Sequence, residues 1–467
     1  MQYQRFHFVY SIKFIQKTLV VCLIPLIKAL LDFDLASLYT ALGQELALLL
    51  SLVLISRLVW RHSGWHLDAQ GLTLCTGLVL QKVRTVTPAQ IAVVEQRRTV
   101  WLRLLGATRV TVYLSTGASL PQASFYLSKE EAARLAEELM PARAATSFFH
   151  PTGAQRLSFV MLSANLMTTA VLAWLTLRQT AEIARQLLPA NWKALSNLTV
   201  QNLNLLERFA EQFLPTGVAW IFTLILVLSC LSLGVSTLRT ARFSVSRHGG
   251  VIFFSGGLLT LTQRRVRASM VTVCDVRATL AARLLRRYPV FLAAGSYDSG
   301  DIPVLVYKRG EEDLLEALMP EFRIPRPEVN HARTQGRSLP AFLALPGGLL
   351  LLLWVLFSVS CWSLPELAPV LFLLVMTAVV LFLVQFEGFF VEDAWLSESR
   401  VLTVRYARGF TLHSVCVFTP DVSLGTLQTP FSELRGRCTL RLRMPFHRKV
   451  RVRSIEVEKV SALPLDF

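Results

Sequence analysis

GLVLQKVRTVTPAQIAVVEQRRTVWLR at residues 77–103 returns as GLLTLTQRRVRASMVTVCDVRATLAAR at 257–283 and as GFTLHSVCVFTPDVSLGTLQTPFSELR at 409–435. The three stretches align without a gap. Each opens on a glycine followed by a bulky apolar residue (Leu78, Leu258, Phe410). Each ends on an apolar residue and an arginine: Leu102-Arg103, Ala282-Arg283, Leu434-Arg435. Between these ends run Val83 to Val94, Val266 to Val276 and Val415 to Leu424, where short apolar stretches mix with polar residues as half-buried strands do. An internal repeat of this kind decides architecture before any local motif does.

The first two copies agree further. Arg103-Leu104-Leu105 and Arg283-Leu284-Leu285 are in register, and Val110 matches Val290. Both close on a helical segment, Glu130 to Pro141 and Glu311 to Pro320. Ser128 with Glu131 three residues on is a capping-box start, and Pro141 and Pro320 are natural stops. In the third copy the equivalent helix would fall near Val460, close to the last residue, Phe467. That copy is therefore expected to be truncated or degenerate.

Apolar runs precede each copy: Leu19–Leu31, Leu38–Trp60, Leu157–Leu177, Thr216–Leu238, Pro340–Cys361 and Leu367–Gln385. A membrane-spanning helix needs about 20 mostly apolar residues, and the chain is 53% hydrophobic. The expectation is six transmembrane helices in three pairs, each pair followed by a small β-rich module. The boundaries read as an N-tail and first pair at 1–60, a module at 61–156, a second pair at 157–238, a module at 239–339, a third pair at 340–386 and a module at 387–467. Two spans between successive modules put all three modules on one side. Most of the 48 Lys and Arg fall in these modules, and such residues collect in the cytoplasm. N-terminus, modules and C-terminus are accordingly expected there. Lys28 and Glu45, inside the first two runs, read as interfacial anchors. Segment 178–215 reads as amphipathic helix on the outer surface.

Strands rich in Val, Leu, Thr and Phe, closed by a helix, describe a small β-sandwich or partly open barrel. The arrangement resembles the membrane-flanked bacterial pleckstrin-homology (PH-like) family, the YdbT-like proteins. The residues that carry the resemblance are Gly77-Leu78 and Gly257-Leu258, the polar strand Gln81 to Val86, the strand Gln90 to Gln96, and Leu102-Arg103-Leu104-Leu105-Gly106. The resemblance implies a multi-pass protein of the bacterial inner (plasma) membrane. It would be a scaffold whose PH-like modules bind lipid headgroups or partner proteins in envelope stress or resistance to membrane-active peptides. It also implies a smaller membrane protein with a related module as a partner.

Catalytic signatures do not emerge. There is no phosphate-binding glycine loop, zinc-protease motif or nucleophile elbow. No enzyme activity, cofactor or metal is expected. His62 and His66 stand four residues apart but want further ligands. The remaining signal is basic. Arg264, Arg265 and Arg267, then Arg283, Arg286 and Arg287, together with the register-matched Arg103 and Arg435, are the candidate headgroup or partner contacts. A further run, Arg441, Arg443, Arg448, Lys449, Arg451 and Arg453, alternates so that arginines share a strand face. Anionic headgroups are the first reading for such charge beside a membrane. An acidic protein segment is the second, and a merely solvated face the bland alternative at a net charge of +17. Nucleic acid is not expected, because aromatic residues do not interleave with the charges. The alternative for the whole chain is a transporter or export component built from the three apolar pairs.

Overall fold

In the computed structural model the described residues are 3–12, 35–78, 80–115, 123–141, 147–151, 153–163, 230–299, 302–311, 313–320, 339–363, 367–396, 401–418, 422–444 and 448–458.

The first repeat comprises β1 (Gln4–Arg5), α1 (Leu35–Arg61), β2 (Gly64–Asp68), β3 (Gly71–Thr76), β4 (Lys82–Val86), β5 (Ile91–Thr99), α2 (Val100–Leu104), β6 (Ala107–Leu114), β7 (Ala123–Ser128) and α3 (Lys129–Leu139). The second comprises β8 (Ser147–Phe149), α4 (Gly153–Ser163), β9 (Ser244–His248), β10 (Val251–Gly256), β11 (Thr260–Arg267), β12 (Val271–Ala278), α5 (Leu280–Leu285), β13 (Arg287–Ala294), β14 (Tyr297–Asp298), β15 (Leu305–Lys308) and α6 (Asp313–Leu318). The third comprises α7 (Leu339–Ser363), α8 (Ala368–Val391), β16 (Asp393–Leu396), β17 (Val401–Arg408), β18 (Thr411–Phe418), β19 (Ser423–Leu427), α9 (Pro430–Glu433), β20 (Arg437–Met444) and β21 (Arg448–Glu456).

Each repeat places its first three main strands in one sheet and its later strands in the next. The repeats are therefore stitched together rather than hung as separate beads. The sheets run β1-β2-β3-β4, then β7-β6-β5-β11-β10-β9-β8, then β14-β13-β12-β18-β17-β16 with β15 beside β13, then β19-β20-β21. The two stitches are the antiparallel pairs β5·β11, with Glu95 opposite Arg264, and β12·β18, with Cys274 opposite Cys416.

This explains why β5 reads Ile91-Ala92-Val93-Val94 without alternation. Both of its faces are buried. Ile91 and Val94 belong to the first repeat's core with Leu72, Val110, Phe125 and Leu135. Ala92 and Val93 belong to the second repeat's core with Ile252, Val266 and Leu292. In the second stitch Cys416 serves the second core, and Val273, Val415 and Val417 serve the third.

Local signals are obeyed. Ser128 accepts from the Glu131 amide while the Glu131 carboxylate accepts from the Ser128 amide, so the capping box starts α3. Thr99, Thr279 and Thr429 cap α2, α5 and α9 in the same way, each side chain accepting from the amide three residues on. The third repeat holds both of its three-stranded halves.

The expected six transmembrane helices in three pairs are not what the structure has. Among the described residues, two helices are long and apolar enough to cross a membrane, Leu339–Ser363 and Leu374–Val391, beside four β-sheets. Counting apolar runs overstated the spans because part of that apolar surface packs inside the modules. In the run that begins at Leu157, Phe159 and Val160 are buried in or beside the second core, Phe159 against Phe243. Near the end of the run that finishes at Leu238, Ser236 is buried and donates to the Val160 carbonyl. In α1, Leu52 is buried and Trp60 donates to the Phe6 carbonyl. Lys28, the run 19–31 and segment 178–215 lie outside the described residues.

Candidate functional site

β20 and β21 are antiparallel neighbours. Leu440, Leu442, Met444, Val450 and Val452 point into the third core. The alternate residues therefore face the other way. They are basic: Arg441 stands opposite Arg451, and Arg443 opposite Lys449, all four exposed. Like charges directly opposite each other across a strand pair are destabilising. No acidic side chain among the described residues forms an ion pair with any of the four. The sheet therefore presents a two-by-two block of positive charge that has no acidic partner among the described residues.

The block begins at the foot of an apolar hairpin. Two residues beyond Arg451, the Arg453 guanidinium is fixed between the helices. It donates to Glu392 at 2.5 and 3.1 Å and to Gln385 at 2.6 Å, and its plane lies 4.1 Å from the Phe342 ring centroid. The Arg453 amide adds a 2.8 Å bond to Glu392. Burial raises the Glu392 carboxyl, and Arg453 only partly offsets this. Phe342 meets Phe389 and Phe357 meets Phe372, so α7 and α8 run antiparallel. Their outer faces leave Leu345, Leu351, Trp354 and Trp362 exposed, Trp362 at 93%. At two residues per roughly 7 Å, Arg451 and Lys449 lie about 7 and 14 Å along the strand from the hairpin's foot.

Other arginines hold the stitches. Arg264 pairs with Glu95 at 2.9 Å, and the Tyr113 hydroxyl donates to the same carboxylate at 2.9 Å. Burial first, then Glu95, pushes the Tyr113 phenol far up; burial pushes Tyr297, which lies under the Arg264 guanidinium, up to about 12. Arg265 donates to the Ala136 and Met140 carbonyls at the end of α3 and pairs with Glu137 at 2.6 Å. Arg267 donates to the Pro88 carbonyl at 2.9 Å. Arg103 donates to the carbonyls of Leu258 and, at 2.6 Å, Leu259. Arg283 donates to the Phe410 carbonyl at 2.9 Å, to the Ala278 carbonyl at 3.3 Å and to Glu387.

Arg287 donates to the Ser158 hydroxyl at 2.9 Å. Arg286 ends α5 in the left-handed conformation, φ 52°. Arg435 is exposed. The structure thus brings Arg103, Arg264, Arg265 and Arg267 to the first stitch and Arg283 to the second. It leaves Arg435 apart from them. The exposed block drew less weight in the sequence than the arginine clusters. Its signal was the alternation of Arg441 with Arg443 and of Arg451 with Arg453; the pairing of Arg443 with Lys449 came from the strand register. His62 binds the Leu58 carbonyl and His66 lies edge-on to Tyr3.

The first repeat has known likenesses. Residues 20–143 match the family model of the bacterial PH domain. That span runs through the stitch strand β5 to the closing helix α3, so the similarity to a bacterial PH domain covers the first repeat. No curated protein and no solved structure matches the chain.

Proposed function

We propose that this is a non-catalytic, membrane-associated binding protein that lays the third repeat's basic sheet face on anionic lipid headgroups. The observation that carries the reading is the block Arg441, Arg443, Lys449 and Arg451, which has no acidic partner among the described residues and lies beside the foot of an apolar hairpin. Uncompensated like charges are a standing cost unless an anion supplies the missing partner. Basic residues next to a membrane anchor gain about 1 kcal/mol each from an anionic leaflet. The α7–α8 hairpin would set the distance to the headgroups, because Arg453 ties β21 to both helices. The bacterial PH-like domain is compatible with a lipid-binding or protein-binding role. The charge distribution favours the cytoplasmic leaflet. The YdbT-like arrangement and a role under membrane-active peptides rest on the resemblance alone and belong to this proposal.

The test is hydrogen exchange on the full chain in nanodiscs of neutral lipid and of mixed neutral and anionic lipid. Expected is added protection over 437–456 in the anionic discs. It should weaken at high salt, as screening requires, and disappear in R441E/R451E. Equal exchange in both lipids would overturn the reading.

A further inference from the structure

A single exposed leucine is ordinary, whereas apolar surface that gathers at one place marks a contact. Leu104, Leu284 and Leu434 each stand five residues after a helix cap, Thr99, Thr279 or Thr429, and are 73%, 86% and 86% exposed. Trp101 joins Leu104 on α2, and Leu280 joins Leu284 on α5, both exposed as well. The arginine beside each leucine turns inward. Arg103 donates to the Leu258 and Leu259 carbonyls, and Arg283 to the Phe410 carbonyl and to Glu387. Each short helix thus holds on by its charge and leaves its apolar residues facing out.

Those bonds fix where α5 sits. Glu387 lies four residues before the end of Leu374–Val391, a stretch long and apolar enough to cross a membrane. The turn that carries Phe410 packs on the same helix: a Cβ on Gly388 would lie 3.9 Å from the Ala407 Cβ. Phe386 and Phe390, on either side of that level, are exposed on α8. The third repeat has Glu433, not arginine, four residues after its cap Thr429. Leu434 therefore has no equivalent tether.

A chain of bonds carries α2 to the same end of the molecule. The Leu258 amide, whose carbonyl Arg103 holds, donates to the Leu238 carbonyl at 2.9 Å, within helical residues 230–240. From that helix Ser236 donates to the Val160 carbonyl of α4 at 2.9 Å. On α4, Ser158 accepts from Arg287, which follows α5 by two residues. The starts of the two stitch strands lie together as well. Ser296, beside the β13–β14 turn opposite Val271, donates its amide to Leu114, which stands opposite Ile91. β5 and β12 therefore set out from one place, and α2 and α5 close them at one end, beside the foot of α8.

We propose that this end of the protein rests in a lipid bilayer, with Trp101, Leu104, Leu280 and Leu284 inserted at the boundary between headgroups and acyl chains. The inference rests on the reading that the α7–α8 hairpin is embedded in a membrane. It adds an apolar contact in the first two repeats, separate from the basic face of β20 and β21. The occupant is lipid because Arg283 pins α5 to the last turns of α8, so a bilayer that covers Phe386 and Phe390 reaches the depth of Leu284. Short apolar faces bury in that boundary, and indole rings prefer it. Arg286, exposed directly after Leu284-Leu285, stands where its guanidinium can reach the headgroup phosphates.

The test places a benzophenone amino acid, one position at a time, at Leu104, at Leu284 and, as a reference on the hairpin's outer face, at Trp354. All three side chains are exposed, so the fold accommodates the change. The full chain, one molecule per nanodisc of mixed neutral and anionic lipid, would be illuminated and its adducts mapped by mass spectrometry. Expected are adducts on lipid acyl chains at all three positions. Acyl adducts at 354 that are missing at 104 or 284, or replaced there by adducts to headgroups or to protein, would overturn the proposal and leave the hairpin reading standing. No acyl adduct at any of the three would overturn both.

Discussion

Arg283 donates to the Phe410 carbonyl at 2.9 Å across 127 residues of sequence, and Arg103 makes the same bond to Leu258. The arginine end of the first and second repeats and the glycine-plus-apolar start of the repeat that follows are thus the two halves of one joint.

Removing that grip should loosen one joint and leave the others. Arg283→Ala deletes bonds to two carbonyls and to Glu387 and should cost about 2 kcal/mol. Arg283→Lys keeps the charge but not the planar fork, and should fall between. Hydrogen exchange over β12 and β18 should rise in Arg283→Ala while β5 and β11 keep their protection. A uniform rise would show that Arg283 supports the whole fold rather than its own joint.

The first stitch hides a charge that punishes half-removal. Arg264 and Glu95 are only 19% and 11% exposed at their side chains. Glu95→Ala leaves a largely buried guanidinium without its partner and should cost about 3 kcal/mol. E95A/R264A should cost less than the two single losses added together, because neither charge is then stranded. Denaturant unfolding of the three variants decides this; strict additivity would mean that the pair is already screened by solvent.

How much of this was open to reading in the sequence depends on what each residue needed. Ser128 acts within a few residues, and its role as a cap with Glu131 followed from a local rule. The register of Arg103 and Arg283 was visible too, but not its meaning, because each arginine's partner lies in the next repeat. Arg435, aligned with them in the sequence, stands six residues after its cap Thr429 where they stand four after Thr99 and Thr279. The apolar runs misled for the opposite reason. Phe159 and Leu52 have the composition of lipid-facing residues, yet tertiary packing buries them inside protein. Composition measures the wish to leave water and does not say into what. The exposed block on β20 and β21 was legible as alternation. That its charges stand opposite one another depends on a pairing register that Arg441 and Arg451 cannot announce alone.

Acid should open the second stitch first. Burial alone would raise the Asp275 carboxyl, but the His413 bond and charge, followed by those of Arg277, outweigh it and hold the group below its ordinary value. A carboxyl depressed in the folded state contributes stability that is fully present above its unfolded value of about 4 and is lost as pH falls through the folded value. Asp275→Asn should therefore be less stable than the native chain at neutral pH, and the gap should close as pH drops below about 4. Parallel stability curves would show that Asp275 titrates alike in both states.

Arg286 ends α5 at φ 52°, where the first repeat has Gly106 at 69° and the third Gly436 at 62°. A side chain in that left-handed region costs about 1 kcal/mol or more, while glycine adopts it freely. Glycine in turn gives the unfolded chain more freedom to lose, about 0.4–1 kcal/mol. Arg286→Gly should therefore leave stability unchanged or raise it by up to about 1 kcal/mol. The charge, rather than the fold, would then account for an arginine in a glycine's position. Thermal unfolding of Arg286→Gly beside Arg286→Ala separates the two effects. Alanine keeps the strain and should gain nothing, so equal gains from both would assign the benefit to removing the charge instead of relieving the backbone.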